Sequence, residues 1–86
     1  MRLDKFLKVS RLIKRRPVAQ LACRSERVLV NGHVAKPAYQ VKVGDLITLR
    51  SPEWEMTVEV LALTAPRGEE ESMYRVVKLE RKEEEW

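Results

Sequence analysis

"SRLIKRRPVAQLACRSERVLVNG", residues 10–32, decides how the chain is read. Pro17 suits the opening of a helix, because its ring fixes φ and it has no N–H to leave unpaired. Val18, Leu21 and Ala22 follow at helical spacing, which predicts a helix from about Pro17 to Ser25 with those three side chains buried. From Val28 the period changes. Val28, Leu29 and Val30 run into Asn31-Gly32, a pair that tolerates the positive φ of a type I′ turn, so a β-hairpin returns through His33 and Val34.

Lys14, Arg15 and Arg16, with Arg11 close by, stand where that helix begins. The partial positive charge of a helix N-terminus makes each nearby cation cost a few tenths of a kcal/mol to ~1 kcal/mol. A phosphate reverses the sign. Arg15 and Arg16 beside the helix's free N–H groups form an anion site in which side-chain charge, backbone donors and dipole all favour it.

Upstream, Leu3, Phe6 and Leu7 recur at i, i+3, i+4 and predict a first helix over residues 3–9, with Asp4 in its first turn and Lys8 four residues on to pair with it. Arg2 and Lys5, three apart, point the same way. Downstream, Gly44-Asp45 turns into a strand from Leu46 to Leu49. "EMTVEVLAL" alternates as a strand with one wet face, and "MYRVVKLE" favours a strand through Tyr74, Val76 and Val77. "TAPRGEEES" between them reads as a mobile loop. Glu69–Glu71 and Glu83–Glu85 read as solvated surface. Phe6 is expected in the core, and Trp54 and Tyr74 are expected to pack within the C-terminal extension; Trp86 is given no role.

The chain has 86 residues, 44% of them hydrophobic and 35% charged, which suits one small domain with no room for a second, catalytic one. No apolar run approaches the ~20 residues of a membrane helix. Lys5, Lys8 and Arg11 interrupt any signal-peptide core, so the expected location is cytoplasmic. Cys23 is the single cysteine and His33 the single histidine. These exclude an intrachain disulfide and leave no zinc-ligand spacing, so no metal and no cofactor are expected. Cys23 reads as a small filler on or beside the buried face of its helix. His33 reads as a solvated turn residue. Charge is divided unevenly: residues 1–50 carry twelve Lys/Arg against three Asp/Glu, and residues 51–86 five against ten. The basic half is the candidate footprint for a polyanion.

Helix, basic turn, helix, then "RVLVNG", Lys36-Pro37 and "VGDLI" resembles the S4 RNA-binding domain over Arg2 to about Leu49, through "RLDKFL", "RRPVA", "RVLVNG" and "VGDLI" in that family's order and spacing. The implied fold is α+β: two N-terminal helices packed on a small antiparallel sheet, with residues 1–50 as the S4 unit and residues 51–86 as a β extension and acidic tail of the same domain. The bare S4 unit and the extension with "MYRVVK" are similar to the bacterial ribosome-associated quality-control factor P family, which is related to the larger heat-shock S4 protein that binds free large subunits.

That resemblance implies a non-catalytic factor that binds 23S rRNA of a large ribosomal subunit still holding peptidyl-tRNA. There it steadies the P-site tRNA and supports alanine addition by a partner that recruits alanyl-tRNA. Arg2 and Arg16 match the family's motif residues, with Lys5, Arg11, Lys14 and Arg15 as neighbouring cations. Lys36 and Lys42 are candidates for extending the basic surface, and a monomer is expected. Glu26 stands where the family usually has Gly, so it must either strain or end the second helix differently. The alternatives are a ribosome-assembly or general rRNA-binding S4 protein, and, if a further domain exists, the RNA-binding part of an RNA-modifying enzyme. A helix-turn-helix DNA binder is disfavoured by the hairpin that follows the helices.

Overall fold

The computed structural model describes residues 1–82. Two helices, α1 (Leu3–Val9) and α2 (Arg16–Arg24), precede β1 (Val28–Val30), β2 (His33–Val34), β3 (Leu46–Arg50) and β4 (Trp54–Val60); a 3₁₀ turn (Glu70–Met73) leads into β5 (Tyr74–Arg81). The strands form one antiparallel sheet in the order β2-β1-β3-β4-β5. The expected α+β, S4-type arrangement is what the chain adopts. Glu83–Glu85 and Trp86 lie outside the described residues.

Leu3, Phe6 and Leu7 of α1 meet Ala19 and Cys23 of α2, and both pack on Val28 and Val30, Ile47 and Leu49, and Val58 and Val60 of the sheet. Asn31 (φ 52°) and Gly32 (φ 84°) turn the predicted hairpin with both residues in the left-handed region. Asn31 also fastens that turn to the next strand. Its Oδ1 accepts the Leu46 N–H at 2.9 Å, and its Nδ2 donates to Asp45 at 3.1 Å. Asp45 further accepts the Tyr39 hydroxyl at 3.0 Å and the Lys42 N–H at 2.9 Å. The connection from Ala35 to Gly44 is held shut by one buried carboxylate.

That connection also caps α1. The Leu3 N–H donates to the Tyr39 carbonyl at 2.7 Å and the Asp4 N–H to the Pro37 carbonyl at 3.1 Å, so the helix's first donors are satisfied by protein backbone. A bridge from Arg2 to Gln40 and a bond from the Val41 N–H to the Met1 carbonyl continue the contact.

The structure corrects the buried face of α2. Val18 and Leu21 are exposed, Leu21 by 63%, whereas Ala19 and Cys23 are buried. The stripe turned inward is Arg16, Ala19, Gln20 and Cys23, spaced i, i+3, i+4, i+7. Small side chains at its centre let the two helices approach, and polar ones toward its start reach Asp4.

"TAPRGEEES" is likewise more ordered in its contacts than a free loop. It winds into the 3₁₀ turn, buries Met73 and brings Glu70 against Arg11. Tyr74 packs against the core as expected, but Trp54, at the far end of β4, is 38% exposed.

Candidate nucleic-acid interface

Asp4 organises the N-terminal cations. It is fully buried, and it accepts bonds from Arg2 Nε (3.1 Å) and Nη2 (3.2 Å), from Gln20 Nε2 (3.0 Å) and from the Lys5 N–H (2.8 Å). Arg16 Nη2 adds a longer one at 3.4 Å. Burial alone would raise the Asp4 carboxyl. Bonds from Gln20, Arg2, Arg16 and the Lys5 N–H outweigh it and hold the group well below the usual carboxylate range. The sequence-based pairing of Asp4 with Lys8 is therefore corrected: the carboxylate turns inward to two arginines, and Lys8 is exposed.

Arg2 and Arg16 are thus brought together from different elements, their side chains still 47% and 42% exposed. Arg16 Nε lies 3.3 Å from Asp4 Oδ2 but out of line for a hydrogen bond, and this buried N–H has no partner. Asp4 fixes both arginines near one point while leaving each with donors to spare, a geometry suited to phosphate oxygens.

The remaining predicted cations are distributed around this centre. Lys5 is exposed three residues along α1 from Arg2, and Arg15 is exposed at the N-cap of α2, whose first turn has no side-chain cap. No acidic residue stands in that first turn either. Lys36 and Lys42 are exposed on the connection that caps α1, without an ion pair among the described residues. Lys14 is exposed in the interhelical turn. Arg11 is exposed but not unpartnered: its Nη2 lies 3.6 Å from Glu70 Oε1, and its backbone is left-handed at φ 64°. Arg50, further off, pairs with Glu55 at 3.0 Å.

Two further side chains meet these groups without having been singled out from the sequence: Gln20 donates to Asp4, and the charge of Arg67 acts on Glu70. The i+4 relation of Gln20 to Arg16 is the signal that could have flagged a polar pair on one helix face. Arg67, inside the Pro-Arg-Gly turn, looked like loop. Cys23 is buried and its thiol is pushed up to about 11, first by burial and then by the charge of Asp4, as suits a packing residue. His33 is exposed at the start of β2. Among the described residues no group of His, Cys, Asp and Glu is placed to hold a metal, and no helix is long and apolar enough to cross a membrane.

Two helices on an antiparallel sheet, with cations gathered at the interhelical turn, define an S4-type RNA-binding protein, and the S4 domain family matches residues 1–47. Similarity extends well beyond that unit. The chain is 48% identical over 82 residues to the RQC P-site tRNA stabilizing factor of Halalkalibacterium halodurans, covering 93% of each, and 46% identical over 83 residues to that of Bacillus subtilis, covering 94% of this chain and 96% of the relative. It belongs to the family of RQC P-site tRNA stabilizing factors. Among solved structures, the trimeric heat shock protein 15 of Vibrio cholerae superposes with a TM-score of 0.80 at 32% identity, covering 90% of this chain and 81% of that one.

Proposed function

We propose that this chain is a non-catalytic, cytoplasmic RNA-binding factor that docks on a large ribosomal subunit carrying peptidyl-tRNA, steadies the P-site tRNA, and so supports addition of alanines to the stalled nascent chain. The observation that carries the reading is the Arg2–Asp4–Arg16 cluster, in which one buried carboxylate holds two half-exposed guanidiniums side by side. The names of the relatives, matched over more than nine-tenths of their length, support the same role.

Arg2 and Arg16 are the principal phosphate contacts. Lys5, Lys14 and Arg15 extend them along the helices, Arg11 joins them once released from Glu70, and Lys36 and Lys42 extend them along the capping connection. Such contacts position a protein and carry little sequence information, so recognition is of RNA shape and falls steeply with salt. 23S rRNA and peptidyl-tRNA are the two surfaces bound, and an alanyl-tRNA-recruiting partner on the same subunit supplies the chemistry.

The test is sucrose-gradient sedimentation of the tagged chain in host lysate, with and without puromycin to release nascent chains. Enrichment at the large subunit that puromycin abolishes supports the proposal. Enrichment indifferent to puromycin replaces it with an assembly or general rRNA-binding role, and absence from ribosomal fractions removes the ribosome altogether.

A further inference from the structure

A groove of about 690 Å³ that Asp4, Arg2 and Arg16 do not line lies between the end of α1 with the interhelical turn and the segment from Leu63 to Met73. Lys8, Arg11, Lys14 and Arg67 line it, and Glu70 is the one carboxylate among them. The rest of the lining is largely apolar. Met73 is buried at its base, and Val9, Leu63 and Ala65 are half-buried against the core. The volume is that of a small-molecule site. Four cations against one carboxylate leave a demand for negative charge beside an apolar wall.

Glu70 shows where an anion sits. Its Oε1 accepts the Gly68 N–H at 3.1 Å and lies 3.6 Å from Arg11 Nη2. Backbone N–H groups of Glu70 and Gly68, then the charges of Arg11 and Arg67, keep this carboxyl below its usual range. The Glu70 side chain is 19% exposed and the Arg11 side chain facing it 72%, so the pair is open to solvent from the arginine's side. Arg11 presents its side chain from a left-handed backbone, a conformation that is unfavourable for an L-residue and recurs at ligand sites.

We propose that this groove receives one unpaired nucleotide of a structured RNA, its base against Val9, Leu63 and Ala65 and its phosphate taking the place of the Glu70 carboxylate at Arg11, with Lys14 and Arg67 alongside. A base needs an apolar face and its phosphate needs cations within a few ångströms, and the groove offers both at one mouth. Base-paired RNA keeps its bases stacked and cannot fill it. Glu70 then acts as a filter, since only a ligand that delivers a phosphate to that point displaces it. The inference deepens the RNA-binding reading by naming a second contact, and it does not require the ribosome to be the source of the RNA.

The test is an NMR titration of the ¹⁵N-labelled full chain with two loop-free RNA duplexes, identical except for one bulged 2-aminopurine nucleotide. The expected result is at least tenfold tighter binding of the bulged RNA, shifts at the Arg11, Thr64 and Arg67 amides, and a change in 2-aminopurine fluorescence. Glu70→Gln should strengthen that binding severalfold, and Arg67→Ser should erase the difference between the two RNAs while leaving binding of the plain duplex. Equal affinity for both RNAs, or shifts confined to the Arg2 and Arg16 region, overturns the proposal. So does a Glu-rich decapeptide that shifts the groove amides as strongly as RNA, since the site would then take an acidic peptide. Loss of the bulge preference with puromycin-sensitive subunit binding intact removes the groove alone, and the converse removes the ribosomal reading alone.

Discussion

Arg16 reaches back twelve residues to Asp4, its Nε 3.3 Å from Oδ2 and its Nη2 3.4 Å from Oδ1, so a side chain read from the sequence as an anion contact is half committed to the protein itself. Arg16→Ala should therefore have two effects. Large-subunit affinity should fall about tenfold, roughly uniformly across RNA sequences. Stability should also fall, by about 1 kcal/mol or less, because the lost pair is half-exposed and Asp4 keeps Arg2, Gln20 and the Lys5 N–H. Binding and urea unfolding measured on the same preparation check both, and an unfolded variant would contradict the second.

Asp4→Ala removes the hub instead of one spoke. Two arginines and Gln20 lose their shared acceptor at a fully buried position, and the expected destabilisation is about 2–3 kcal/mol, less than for a wholly enclosed pair because both guanidiniums still reach water. Subunit affinity should fall with it, although the substitution adds a net positive charge. Urea unfolding and subunit binding report the two. A variant that binds better than wild type would show that Asp4 restrains the arginines instead of aiming them.

The acid limb of stability follows from the same carboxylate. Asp4 and Asp45 are both held below the ordinary value of 3.8, so they bind fewer protons folded than unfolded, and the stability they contribute is present above about pH 4 and lost as pH falls below it. Burial and the bond to Asp45 raise Tyr39 above its ordinary 10.0, so its contribution is present below that pH and lost above it. Unfolding free energy should form a plateau through neutrality and drop on the acid side. Asp4→Asn should flatten that drop, and a variant with an undiminished acid slope would contradict the assignment.

Much of this was legible in the sequence for local reasons. Asn31-Gly32 has few other uses, and Leu3, Phe6 and Leu7 admit one buried face. The α2 face was misjudged because hydrophobicity was weighed without the partner: once Asp4 is buried, Arg16 and Gln20 must turn toward it, and Val18 and Leu21 are carried to the outside. Contacts such as Arg11 with Glu70 join residues 59 positions apart and leave no periodic trace. The cations at the interhelical turn were visible as composition, but which of them share a carboxylate was not.

Salt should act on RNA binding in proportion to the phosphates neutralised. Five contacts correspond to a log–log slope of about −3 to −5, depending on how duplex-like the bound RNA is. Arg16→Ala should reduce its magnitude by about 1. An affinity for isolated ribosomal RNA that is flat between low and moderate salt would mean that the cations described above are not the contacts.

Glu26 offers a prediction that concerns the fold alone. It sits just past α2 at φ 60°, where its N–H donates to the Cys23 carbonyl at 3.1 Å and the next N–H, of Arg27, to the Ala22 carbonyl at 3.0 Å. These two bonds close the helix in the pattern that usually employs glycine at this position. The bonds are made in full, so the helix ends in the usual way and the cost is borne by the backbone of one residue with a Cβ. Glu26→Gly should stabilise the protein by about 1 kcal/mol, the left-handed strain outweighing the freedom glycine gains when unfolded. Glu26→Ala separates this from charge: it removes the carboxylate but keeps the Cβ, and should leave the midpoint of urea unfolding nearly where it was. Equal gains in the two variants would assign the effect to the lost negative charge near the helix C-terminus.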